Sequence, residues 1–106
     1  MAEFVKVGRL NDFPAGVIKA CRVGNKSIAV VQVAGRVHAY ANSCPHAGYT
    51  LSGGIATESR IICDVHGAHF DIDTGEALIG PASDPLEMYE VRVIGDDILV
   101  AKGEPD

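Results

Sequence analysis

Two segments of this chain have residue types and spacing that can do chemistry: Cys44-Pro45-His46-Ala47-Gly48 and Cys63-Asp64-Val65-His66-Gly67. Each joins a thiol and an imidazole within a few residues, with a glycine close behind, and 16 residues separate His46 from Cys63. Thiolate and imidazole are both metal ligands. One of each in each of two loops suits a site with two chemically different metal positions. Thiolates can hold one iron and imidazoles the other, so that the two loops clamp the pair. Gly48 and Gly67 let the backbone turn closely around such a group, and main-chain N–H groups there can donate to sulfur. The competing chemistry is a structural zinc ion, which also takes two Cys and two His. Zinc fingers usually pair Cys with Cys in one knuckle and His with His in the other. Here each knuckle is mixed.

The elements that must position these loops read as short strands. Val17 to Val23 is apolar and β-rich, and Gly24-Asn25 supplies a hairpin turn into Ser27 to Val33, a buried strand. Ala34-Gly35 turns the chain again into Arg36 to Ala41. Near the end, Tyr89 to Ile94 and Asp97 to Ala101 flank Gly95-Asp96, which predicts a further hairpin. No stretch shows sustained helical spacing with a cap at its start, and Pro14 limits Asp12 to Gly16 to a turn. The reading is an all-β domain. Half of the 12 glycines fall between Gly48 and Gly80, together with Pro45, Pro81 and Pro85, three of the 4 histidines and two of the 3 cysteines. That middle stretch predicts an inserted unit organised by a metal rather than by a large apolar core.

Bulk properties narrow the function classes. With 106 residues the chain fits one domain, and 47% hydrophobic against 22% charged residues marks it as globular. A net charge of −5 argues against nucleic acid, whose phosphates need a basic surface. Met1 to Leu10 lacks the apolar stretch of a signal peptide, and the longest apolar run, Ile28 to Val33, is far too short to span a bilayer. The expectation is a cytoplasmic protein. An odd cysteine count without an export signal argues against a disulfide framework and leaves thiols available as ligands.

C-x-H, 16 residues, C-x2-H resembles the Rieske pattern, in which two His replace two Cys on one iron of a [2Fe–2S] cluster. The resemblance extends past the ligands. Phe70-Asp71-Ile72-Asp73-Thr74-Gly75 is similar to the family's strand and turn after the second loop, Gly80-Pro81-Ala82 to its proline loop, and Leu86 to Val91 to the strand returning to the base. It implies three stacked antiparallel sheets, with a cluster-binding subdomain at about 42–85 inserted into a base of 1–41 and 86–106. It also implies one [2Fe–2S] cluster per chain, with Cys44 and Cys63 on the inner iron and His46 and His66 on the outer iron, the edge by which electrons leave. Pro81 would shield the cluster from water.

High-potential members of the family resemble this chain but add a Cys in each loop, forming a disulfide, and place hydroxyls near the cluster. The corresponding positions here are Tyr49 and Val65, and Ala68 and Phe70. The potential is therefore expected near the low end of the Rieske range. A low-potential, free-standing domain resembles the ferredoxin component of ring-hydroxylating dioxygenase systems. The implied partners are a flavin-dependent reductase and a terminal oxygenase, and the implied role is an electron carrier, not an enzyme, acting as a monomer. The alternatives are a small-subunit-like component of an assimilatory nitrite reductase, and a structural or sensing module. A docking surface is expected around His46 and His66, rimmed by Pro45, Ala47, Gly67 and Pro81, with Glu58, Glu76 and Asp84 farther out to guide a basic partner. Cys21 reads as a small buried hydrophobe, His69 as a solvated side chain, and His38 as a strand residue without function.

Overall fold

The computed structural model of the chain describes residues 3–43, 50–63, 68–79 and 85–102. Eleven strands are present in that part: β1 (Glu3–Arg9), β2 (Lys19–Val23), β3 (Lys26–Val33), β4 (Arg36–Ala41), β5 (Ile55–Ala56), β6 (Arg60–Ile62), β7 (His69–Asp71), β8 (Ala77–Ile79), β9 (Met88–Tyr89), β10 (Val91–Ile94) and β11 (Asp97–Lys102). They form three sheets, ordered β1-β11-β10, β2-β3-β4-β9 and β5-β6-β7-β8, and every pairing is antiparallel. The only helical element among the described residues is a 3₁₀ turn at Leu10–Asp12. The all-β, three-sheet expectation holds.

The middle sheet explains the stacking. Side chains alternate across a strand, so a strand buried on one face reads apolar–polar and one buried on both faces reads as a continuous apolar run. In β3, Ile28 and Val30 enter one core with Phe13, Val23, Ala39, Tyr89, Ile98 and Val100. Ala29, Val31 and Val33 enter the other, with Tyr40, Leu51, Ile61, Cys63, Ala68, Phe70, Ile72 and Leu86. Both layers are apolar, and each large side chain fully buried there contributes roughly 1.5–3 kcal/mol. Gln32, the polar residue of the run, has a use: its Nε2 donates to the carbonyls of Leu10 (3.1 Å) and Phe13 (2.9 Å), fixing the 3₁₀ turn against the middle sheet.

The hairpin turns follow their residues. Gly24 and Gly95 both have φ 63°, the left-handed value that a two-residue turn beginning with glycine requires. At the third hairpin Ala34 (φ 53°) precedes Gly35 (φ 77°), so an alanine holds a conformation that favours glycine or asparagine.

Three local expectations are corrected. β2 begins at Lys19 rather than Val17, because Val17 instead forms a single antiparallel bridge to Ile55. Tyr89 is not continuous with the 91–94 strand: it pairs with Ala39 in the middle sheet, and the chain changes sheets at Glu90. Glu3–Arg9, read above only for the lack of an apolar leader, is a full strand paired with β11, and Val5 and Val7 pack on the core beneath it.

Candidate metal centre

Of the four expected ligands, Cys63 is described; Cys44, His46 and His66 lie outside the described residues, as do Tyr49, Val65 and Pro81. Cys63 follows directly on β6. It is 1% exposed, carries a free thiol and packs within the apolar layer between the middle sheet and the β5–β8 sheet. Its backbone N–H donates to the Ala68 carbonyl at 2.8 Å, and the next pair outward, Ile62 with His69, is in antiparallel register. Residues 64–67 are thus connected across a closed ladder, with Cys63 as its last inward-facing residue.

The ends of the first loop are closed by a side chain. The Oδ1 of Asn42 accepts from the backbone N–H of Leu51 and of Ser52, both at 2.9 Å, and its Nδ2 donates to Ser27 Oγ (3.0 Å) and Ser52 Oγ (3.2 Å). Leu51 is fully buried in the same layer as Cys63 and Ala68, and the Gly54 N–H closes a turn on its carbonyl at 3.0 Å. From there the chain enters β5, which pairs with β6, so the exit of the first loop is hydrogen-bonded to the strand that delivers Cys63.

Beyond the loops, the turn after β7 is tied to the rest. Asp71 Oδ1 accepts from the N–H groups of Asp73 (2.9 Å) and Thr74 (3.0 Å), and these bonds hold its carboxyl below the usual range. The Tyr40 hydroxyl donates to the Ile72 carbonyl, linking β4 to that turn. Burial, and then the Asp73 and Asp71 carboxylates, push the Tyr40 phenol up. Gly75 accepts from the Leu86 N–H at 2.7 Å, and Ala41 donates to the Glu87 carbonyl at 2.8 Å, so the chain re-entering after residue 84 is held from both sides.

The remaining candidates have plain surroundings. Cys21 is half-buried against the base core, and burial pushes its thiol up, as a small hydrophobe would have it. His38 stacks on Tyr40 (centroids 6.4 Å apart, 14° between planes), and burial pushes its imidazole down. His69 differs from expectation: it is half-buried, with Nδ1 3.2 Å from an Arg60 guanidinium nitrogen, rather than solvated. Glu58 and Glu76 are exposed; Asp84 lies outside the described residues. Sequence reasoning missed Asn42, Tyr40 and Gly75. Only Asn42 left a usable signal, an amide two residues before an expected ligand cysteine.

This donor set fits an iron–sulfur cluster. A free, fully buried thiol stands at the mouth of one loop, in one apolar layer with the exit of the other, and low dielectric around sulfur ligands is a determinant of cluster potential. The family model for the Rieske [2Fe–2S] domain matches residues 3–90, and the chain belongs to that family. It carries one [2Fe–2S] cluster and serves as an electron carrier rather than a catalyst. The chain is 33% identical over 91 residues to the ferredoxin component of the naphthalene 1,2-dioxygenase/salicylate 5-hydroxylase systems of a Ralstonia species, covering 86% of this chain and 88% of that one. Among solved structures, the ferredoxin of carbazole 1,9a-dioxygenase from Nocardioides aromaticivorans IC177 superposes with a TM-score of 0.89 at 35% identity, covering 96% of this chain and all of the other. A chain in the complex of reduced oxygenase and oxidized ferredoxin of carbazole 1,9a-dioxygenase superposes at 0.86 with 33% identity, covering 97% and 95%. No helix among the described residues is long and apolar enough to cross a membrane.

Proposed function

We propose that Cys44 and Cys63 hold the inner iron and His46 and His66 the outer one, and that the protein carries electrons singly from a flavin-dependent reductase to a terminal aromatic-ring oxygenase in the cytoplasm. Residues 42–85 form the cluster-binding unit, and 1–41 with 86–106 its base. The observation that carries the ligand assignment is the buried, free Cys63 at the base of a closed ladder, the position a loop-borne thiolate ligand requires. Support for the oxygenase partner comes from a similar ferredoxin whose structure is a complex with its oxygenase. The cluster, when bound, supplies one-electron redox chemistry. Leu51, Ala68 and Phe70, buried in one layer with Cys63, would exclude water on the cluster's inner side, and the imidazole ligands would be its route outward.

The potential follows from the same neighbours. Hydrogen bonds to cluster sulfur raise a potential. Ala68 and Phe70 are both fully buried and carry no hydroxyl. A redox titration is expected to give a midpoint of roughly −150 mV, the low end of the Rieske range. A clearly positive midpoint would contradict the dioxygenase-type reading.

The functional test is reconstitution. With reduced pyridine nucleotide and a ferredoxin reductase from a dioxygenase system, the visible absorption should bleach rapidly, and added terminal oxygenase should restore it. A cluster that never cycles would favour the structural or sensing alternative. Reoxidation by a nitrite reductase large subunit and not by an oxygenase would favour the nitrite reductase alternative.

A further inference from the structure

We infer that Asn42 is a positioning residue for the cluster: its carboxamide, rather than a main-chain bond among the described residues, ties the exit of the first ligand loop to the strand that enters it. The inference rests on the ligand assignment proposed above. The two loops are closed differently. Across 64–67 the closure is main chain to main chain, Cys63 to Ala68 at 2.8 Å. Across 44–49, the nearest main-chain bonds of the entering strand run elsewhere: the Asn42 N–H donates to the Ser27 carbonyl at 3.1 Å and the Ser43 N–H to the Ala41 carbonyl at 2.8 Å. The Leu51 and Ser52 N–H groups are bonded instead to one side-chain oxygen, Asn42 Oδ1.

One amide therefore does two things at once, and Leu51 adds a third. Its oxygen takes both N–H groups of the exit segment. Its nitrogen, through Ser27 Oγ and Ser52 Oγ, ties that segment to the start of β3 in the middle sheet. The buried Leu51 side chain completes the closure from inside. Cys44 is two residues along the chain from Asn42, so the amide orientation sets where the loop departs. Removing the amide leaves two half-buried N–H donors without their partner and removes the side-chain link between the two loop ends.

Groups that orient metal ligands from outside the ligand set are worth about 10–100-fold in metal affinity or activity when lost. The test uses the holoprotein with Asn42→Ala, Asn42→Asp and, as a control for general destabilisation, Tyr40→Phe, which removes a hydrogen bond from the same layer but on the β7 side. The readouts are the electron paramagnetic resonance spectrum of the reduced protein, the first-order rate of cluster bleaching and the thermal midpoint. Asn42→Ala is expected to broaden the spectrum and bleach at least about tenfold faster than Tyr40→Phe at a comparable loss of thermal midpoint. Asn42→Asp keeps the acceptor for both N–H groups and is expected to recover most of the bleaching lifetime. If Asn42→Ala does not fold, Ser27→Ala combined with Ser52→Ala removes only the Nδ2 partners and is expected to show the same broadening to a smaller degree. Spectra and bleaching rates no different from those of Tyr40→Phe, or an unaltered spectrum in the double serine variant, would overturn the inference while leaving the ligand assignment intact. A wild-type protein without imidazole-coupled signals would instead overturn the assignment on which it rests.

Discussion

Cys63→Ser is expected to yield a protein with no visible chromophore and no electron-transfer activity. Serine keeps the size and the backbone, so the N–H bond from residue 63 to the Ala68 carbonyl survives. The change is confined to the donor atom, which passes from a soft sulfur to a hard hydroxyl oxygen poorly matched to iron–sulfur chemistry. Its place in a fully buried apolar layer makes this worse, because the hydroxyl finds no water there. The loss should exceed the roughly 10–100-fold that follows removal of a mere supporting partner. Iron and sulfide analysis, with the visible spectrum, reads it directly. Cys21→Ser supplies the contrast: that thiol is half-buried against the base core, and its replacement should leave iron content unchanged. Full cluster content in Cys63→Ser would remove Cys63 from the ligand set.

The second large effect is expected at Gly75. Its φ of 77° disfavours any side chain, and a Cβ built there would come within 2.8 Å of the Leu86 carbonyl oxygen and 3.3 Å of the Leu86 Cβ. The first of these neighbours is main chain and the residue is buried, so the clash cannot be relieved by a swinging side chain. Gly75→Ala is expected to cost about 2–3 kcal/mol, a fall in thermal midpoint of about 10–20 °C for a domain of this size. Gly95→Ala separates strain from clash. Its φ is 63° but nothing lies within 4 Å of the added methyl, so only the conformational cost, about 1 kcal/mol, remains. Because Leu86 donates to the Gly75 carbonyl where the chain re-enters the described structure after residue 84, the Gly75 variant should also lose its cluster faster. Equal thermal midpoints for the two variants would contradict this account of the turn.

How much was legible in the sequence depended on the range of the interaction. The doubled Cys/His pattern is local and specific, so the family and its cofactor could be read directly. Ile28 to Val33 is legible because a strand buried on both faces leaves a near-continuous apolar run, interrupted here only by Gln32. Glu3–Arg9 is not, although Val5 and Val7 alternate with Lys6: only two of its residues are strong strand formers facing the core, and its pairing partner β11 lies at the far end of the chain. Tyr89 reads as continuous with the following strand in sequence, because nothing local marks the point where the chain leaves one sheet for another. The Tyr40 bond to Ile72 spans 32 residues and the Asn42 bonds to Leu51 and Ser52 cross a loop, so neither has a periodicity to betray it. The surroundings of His69 are not legible either, because its partner, Arg60, is a neighbour only once β6 and β7 pair.

Imidazole nitrogen bound to one iron of a two-iron cluster is what distinguishes this centre from a four-cysteine cluster or a zinc site. Pulsed electron paramagnetic resonance on the reduced protein, prepared with ¹⁵N-histidine and at natural abundance, measures that bond. The expected result is two strongly coupled nitrogens whose splittings change with the isotope, lost on replacement of His46 and His66. A reduced cluster without histidine nitrogen coupling, or a colourless protein containing zinc, would contradict it.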